Sequence, residues 1–398
     1  MCGRKSIETM KMGKTPALDS EYIIDGAKME FTPRQLLESA SGKACTAEAA
    51  GQIVDESIDP SPAVGFFDLE AISAVKHALV ADKDRPRNIP LDCAGSISVS
   101  DAARSVVDTL WKDGHFRIGD LEARVEWVWN GEPTGSLAAF YSSVSEICSY
   151  FDMLGIRIDG YSISGSSSTN TVRFRMGVAA SASAASGNGP LDMDENQEPI
   201  YEVPFRTPDP HMLETRKCRE TLEGNKGNWL IYIPFDTCSH RLGGSLLSEL
   251  SGIPGGKAPD ILDTDYFMDC YEVVREFVED GIILSGVTVG AGGLMAALER
   301  MASGGHGIDA DIESIMQSYK ENDTAKILFS EIPGAVIEIP SSDFDYVDAE
   351  MLLQDVAYYP IGHPGKPGLR ITSGNQDGVA GILQSLLGQE DIVPEGED

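Results

Sequence analysis

Gly292-Gly293-Leu294-Met295-Ala296-Ala297-Leu298-Glu299-Arg300-Met301-Ala302 is the stretch on which the reading of this chain turns. Two adjacent glycines open a helical run, and just upstream Ile282 to Val289 is an apolar segment of strand length. The order predicts a buried strand, a tight glycine turn and a helix. Downstream come Gly307-Ile308-Asp309-Ala310-Asp311-Ile312 and Leu328-Phe329-Ser330-Glu331, then a strand over Gly334 to Ile339. The turn Gly290-Ala291-Gly292-Gly293 admits two readings. Its small residues let the chain reverse without steric conflict, or they let helix N–H groups meet an anion.

Working outward, Asn228 to Pro234 reads as a buried strand. Tyr266 to Glu279 reads as a helix with Phe267, Cys270, Tyr271, Val274, Phe277 and Val278 inward. Residues 227–398 are thus expected to form a C-terminal α/β domain ending in a helix from about Gln376 to Leu387. Further upstream, Glu122 to Trp129 alternates, with Ala123, Val125, Trp127 and Trp129 on one face, which predicts a strand. A helix over Leu137 to Met153 and strands over Ile156 to Ile163 and Thr171 to Val178 follow. This strand-helix-strand-strand unit, residues 86–180, is a sheet domain with its helix on one face, so the fold class is α+β with two domains. Residues 181–226 are small, polar and acidic and read as a flexible insertion and linker. Residues 1–85 form an N-terminal arm of unassigned role with a helical run at Asp68 to Leu79.

The chain has 398 residues, 42% hydrophobic and 24% charged, enough to bury a sizeable core. Its 63 acidic against 31 basic residues give a formal charge of -32, and binding nucleic acid needs clustered Lys and Arg. No apolar run reaches the roughly 20 residues that span a bilayer, and the first residues are polar. The expectation is a soluble, cytoplasmic protein with neither nucleic-acid nor membrane partners. The 7 cysteines are dispersed without a C-x-x-C pair, which reads as reduced thiols rather than a disulfide framework or a zinc site.

Several motifs occur in an order that resembles the aminoimidazole-ribonucleotide-synthetase superfamily. The resemblance is strongest to the second synthetase half of the large phosphoribosylformylglycinamidine synthases. Leu91-Asp92-Cys93-Ala94-Gly95-Ser96 is similar to L-D-F-A-A-S, Trp127-Val128 to A-N-W-M, and Phe140-Tyr141 to the L-Y of the next helix. His240-Arg241-Leu242-Gly243-Gly244-Ser245 is similar to N-x-L-G-G-S, and Phe329-Ser330-Glu331 to F-x-E. The likeness covers roughly residues 86 to 375. It implies a two-domain synthetase-type fold, ATP and magnesium as cofactors, and ATP-dependent amidination of formylglycinamide ribonucleotide in purine biosynthesis.

Magnesium takes oxygen ligands in near-octahedral array and bridges to phosphates, so such chemistry demands carboxylates. Three family positions that supply charge differ here. The helical G-E-A-L-T-N corresponds to Asp101 to Asp108, with Ala103 or Arg104 in place of Glu. G-K-D-S corresponds to Gly165-Ser166-Ser167-Ser168, and D-x-S-D to Thr288-Val289-Gly290-Ala291. The resemblance leaves Gly165, Ser168, Gly292, Gly293 and Glu331 as candidate nucleotide-binding residues, Asp92 and Asp108 as candidate metal ligands, and no catalytic residue. ATP and magnesium binding is accordingly expected to be weak or lost. The functional expectation is a synthase-like non-catalytic half or subunit, with a pseudoenzyme acting as binding or scaffold module as the alternative. The resemblance also implies a homodimer or a pairing with a related half through the N-terminal sheet, and a glutaminase as a separate subunit. Val125, Trp127 and Trp129 are the candidate interface residues, because their apolar face needs covering.

Overall fold

The computed structural model describes residues 16–41 and 87–373, except 113, 115, 167, 179–217 and 253–255. The expected helices at 68–79 and 376–387 and most of the acidic insertion lie outside the described residues. The N-terminal arm contributes helix α1 (Pro33–Ala40), started by a capping box in which Thr32 and Gln35 satisfy each other's backbone N–H groups. Its Leu37 is buried, and the Tyr22 ring lies 5.0 Å from Tyr141, so this part of the arm packs onto the sheet domain.

Helix α2 (Ala94–Lys112) leads to strand β1 (Leu121–Trp129), helix α3 (Ser136–Met153) and strands β2 (Arg157–Gly165) and β3 (Thr171–Val178). β1 is central, parallel to β2 and antiparallel to β3. Its alternation buries Leu121, Ala123, Val125, Trp127 and Trp129 on the face covered by helices. There the Trp127 and Trp129 rings meet Phe140 of α3 edge-on at 6.3 and 5.7 Å. The Trp127 indole donates to Ser143 Oγ at 3.0 Å and the Trp129 indole to the Ser136 carbonyl at 3.0 Å.

This corrects the expectation for Val125, Trp127 and Trp129. They belong to the core of this chain, because the helices lie on the same face as the indoles and satisfy their N–H groups without a partner. The opposite face is polar, carrying Glu122, Arg124 and Glu126, with ion pairs from Arg157 to Glu122 and from Arg124 to Asp159.

The C-terminal domain runs β4 (Trp229–Pro234), α4 (Leu246–Ser251), α5 (Thr264–Asp280), β5 (Ser285–Val289), α6 (Gly293–Ala302), β6 (Gly307–Asp311), α7 (Glu313–Tyr319), α8 (Thr324–Phe329), β7 (Gly334–Ile339), α9 (Phe344–Leu353), β8 (Tyr359–Gly365) and β9 (Leu369–Thr372). The strands form one six-stranded sheet in the order β9-β6-β8-β4-β7-β5. Its pairs are antiparallel apart from β9 with β6.

β7 is buried on both faces, and its two sets of alternate residues enter different cores. Ala335, Ile337 and Ile339 join a core with α5 that continues into α2, α3 and the small sheet. Val336 joins a second core with residues of α6, α7 and α8. The two domains predicted from sequence therefore share one hydrophobic core across their boundary.

Candidate functional site

The site is built where α2 meets the start of two C-terminal-domain helices. Glycine is required at two turn positions: Gly292 and Gly293 adopt φ of 79° and 66°, and a Cβ on Gly293 would lie 2.5 Å from the Leu328 carbonyl oxygen. The turn aims the Gly292 N–H at Glu331, whose Oε1 accepts it at 2.9 Å and also accepts the Leu246 N–H at 2.7 Å. One carboxylate oxygen thus joins the beginnings of α4 and α6. The turn's anion is the protein's own side chain.

The other oxygen faces guanidinium groups. Arg87, on the segment entering α2, donates to Glu331 Oε2, to the Gly244 carbonyl at 3.2 Å and to Asp101 at 2.6 Å. Arg104, one turn beyond Asp101, pairs with Asp101 and reaches to 3.9 Å from Glu331. Two cations and two anions are in direct contact, with the Glu331 side chain 2% exposed, and Asp108 and Arg300 act on Arg104 at longer range. Burial and the neighbouring Arg87 push Arg104 down from its ordinary value while Glu331 pulls it up, and a guanidinium stays charged at neutral pH.

The sequence-derived candidates separate. Gly292, Gly293 and Glu331 come together. Gly165 and Ser168 lie at the exposed end of β2, where Ser166 Oγ accepts the Ser168 N–H at 3.2 Å, and among the described residues they share no hydrogen bond with the cluster. Asp108 accepts hydrogen bonds from Thr288 and from Lys112. Asp92 is exposed before the first turn of α2, and the helix rise sets it roughly 20 Å from Asp108, too far to share a metal ion.

A cavity of about 290 Å³ opens beside Asp92, lined also by Asn88, Cys93, Ser245, Ser248 and Glu249. Burial and Asp92 push the Cys93 thiol up to about 12, so it is no nucleophile at neutral pH. His240 is buried, stands edge-on to Tyr319 at 4.4 Å, and neither ring nitrogen has a hydrogen-bond partner. Burial pushes its pKa down to about 4.

Magnesium does not fit this donor set. Glu331 accepts from two backbone N–H groups and from Arg87, with the Arg104 guanidinium 3.9 Å away, so cationic nitrogen rather than an open coordination position faces it. Among the described residues no group of three or more His, Cys, Asp or Glu could hold a metal ion. Sequence reasoning found Glu331 and the glycine turn but missed Arg87 and Asp101 as its partners. The (i, i+3) spacing of Asp101 and Arg104 was the available signal, whereas nothing local marks Arg87.

Residues 225–366 match the family described as AIR synthase related protein, C-terminal domain. The chain is 27% identical over 247 residues to a probable phosphoribosylformylglycinamidine synthase, chloroplastic/mitochondrial, of Arabidopsis thaliana, covering 62% of this chain and 16% of that protein. It is 24% identical over 306 residues to the Homo sapiens phosphoribosylformylglycinamidine synthase, covering 75% and 21% respectively. The chain therefore spans about a fifth or less of the length of these curated relatives. Among solved structures, T. maritima PurL complexed with FGAR aligns at a TM-score of 0.49 and 13% identity, over 72% of this chain and 42% of that one. No helix among the described residues is long and apolar enough to cross a membrane. The family match and the two sequence relatives together make this chain an AIR-synthase-like protein related to the phosphoribosylformylglycinamidine synthases.

Proposed function

We propose that this chain is a non-catalytic synthetase-like unit associated with the phosphoribosylformylglycinamidine synthase step of purine biosynthesis. The observation that carries the reading is that Glu331 is engaged by hydrogen bonds from Gly292, Leu246 and Arg87, with the Arg104 guanidinium 3.9 Å away. ATP-dependent amidination needs charge stabilisation on a transferring phosphoryl group, and each lost contact of that kind costs about 10²-fold or more in rate. At this cluster Arg87 and Arg104 are already paired to Asp101 and Glu331. The unit's role is then architectural, as the partner of a related synthetase half or of a second copy, with any glutaminase supplied by a separate subunit. The polar outer face of the small sheet, with Glu122, Arg124, Glu126, Arg157 and Asp159, is the surface offered for that pairing.

The test is the purified chain with formylglycinamide ribonucleotide, ATP, magnesium and ammonia. No turnover above a no-enzyme control is expected, and calorimetry should show no micromolar ATP-magnesium binding. Turnover, or a micromolar dissociation constant abolished by EDTA, would sink the reading.

A further inference from the structure

Arg104 stands at the junction of three parts of the chain. It leaves α2 one turn after Asp101, lies on Gly290 in the turn between β5 and α6, and ends 3.9 Å from Glu331. Turn and side chain are fitted to each other: a Cβ on Gly290 would come within 2.9 Å of Arg104 Cδ and 3.2 Å of its Nη1. Its Nε, facing that glycine, makes no hydrogen bond, so the contacts of this side chain are made by its stem and its two terminal nitrogens.

The charge count gives the placement its meaning. Asp101 and Glu331 bring two negative charges into a region where their side chains are 10% and 2% exposed, and Arg87 balances only one of them. A buried carboxylate left uncompensated is strongly unfavourable, and Arg104 brings the second cation into contact with this pair. A bound metal ion would need carboxylate oxygens open to it, and here Asp101 and Glu331 already face Arg87 and Arg104.

We propose that Arg104 is the resident cation of this interdomain site: it holds α2 against the β5–α6 turn and Glu331, so that the two domains stay docked with neither metal nor nucleotide between them. This rests on the reading of the site as closed to magnesium, and it adds which group takes the place of an external cation. Arg104 acts here as a positioning residue, fixing Glu331 against the Gly292 and Leu246 amides.

The experiment uses the full chain and compares Arg104→Met, which keeps most of the volume without the charge, with Arg104→Ala and Arg104→Lys. The wild-type thermal midpoint should stay within about 1 °C in EDTA, in magnesium and in ATP-magnesium. Arg104→Met should melt lower by roughly 5 °C or more, and its Gly292 and Leu246 amides should exchange about 10-fold faster. Millimolar ethylguanidinium should recover part of the midpoint of Arg104→Ala, while sodium chloride at the same concentration should not.

A methionine variant with wild-type midpoint and exchange would reduce Arg104 to a space filler and overturn the proposal, as would a wild-type midpoint that collapses in EDTA. Should both neutral variants fail to fold, the lysine variant decides. Folded and indifferent to EDTA, it supports a requirement for charge; as unfolded as the methionine variant, it overturns one. The turnover assay bears on the non-catalytic reading alone, so the two can fail separately.

Discussion

Glu331 and Glu338 are both buried carboxylates of the C-terminal domain, one just before β7 and one within it, and they are neutralised in different ways. Among the described residues Glu338 accepts from neutral donors, two on the segment leading into its domain and two within it: the Glu223 N–H at 2.7 Å, the Gly224 N–H at 3.3 Å, Asn228 Nδ2 at 2.9 Å and Ser285 Oγ at 2.9 Å. It ties the segment before β4 to strands β5 and β7. Glu331 adds two guanidiniums that arrive from the other side of the domain boundary. Inside one domain, backbone amides and hydroxyls are fixed by the fold and their dipoles suffice. Across a boundary, the facing surfaces bring further charge, and ion pairs are needed to balance it.

The comparison breaks most visibly at Glu338. Glu338→Ala leaves four donors without an acceptor, those of Asn228 and Ser285 buried, and should cost about 3 kcal/mol in chemical denaturation, with loss of protection at Glu223 and Gly224. A loss below about 1 kcal/mol would show that water replaces the carboxylate there. Glu331→Gln should cost less, about 2–3 kcal/mol, because Asp101 still balances one guanidinium. Its signature should be faster exchange at Gly292 and Leu246 with Glu223 unaffected, and a uniform rise in exchange would erase the distinction between the two regions.

Titration sharpens the contrast with smaller effects. His240 lies within the C-terminal domain, and its pKa, pushed by burial down to about 4, is below the ordinary value of 6.5. A depressed histidine favours the neutral ring in the fold, so this contribution is complete above pH 6.5 and is lost as pH falls toward 4. The loss should be about 2 kcal/mol and absent in His240→Phe, measured by urea midpoints at both ends of the window. Glu146, on α3, is raised to about 7 by burial and by Asp260 of the C-terminal domain. A raised carboxylate works in the opposite direction: stability is full below its ordinary pKa of 4.5 and falls as pH rises to 7. Solvent reaches part of this side chain, so the effect should be about 1 kcal/mol, and Glu146→Gln should flatten it. A glutamine variant that keeps the wild-type slope between pH 4.5 and 7 would remove Glu146 from the account.

Much of the fold is legible because period and burial agree. β1 is readable from Ala123, Val125, Trp127 and Trp129, all buried, and α3 from Leu137, Phe140, Tyr141, Val144, Ile147, Cys148 and Phe151, of which Leu137 alone is exposed because it sits in the first turn. β4 and β7 were readable as apolar runs because both faces of their sheet are covered. What the pattern could not say is what covers the tryptophan face. Alternation marks a face as apolar but not whether a helix of the same chain or another chain lies on it.

The residues alone determined that the chain is α+β and that a glycine turn opens α6, and the family resemblance added Glu331 as a candidate and the replacement of expected carboxylates at Ala103 or Arg104 and around Val289. These follow from local properties, namely side-chain period, positive φ and the presence or absence of charge. Tertiary structure alone decided that Arg87, 244 residues away in sequence, reaches Glu331, and that Arg104 lies on Gly290 rather than in solvent. Side-chain charge can be counted in sequence, but its compensation depends on which buried groups the packed core brings within a few ångströms, and that is a property of the packed core as a whole.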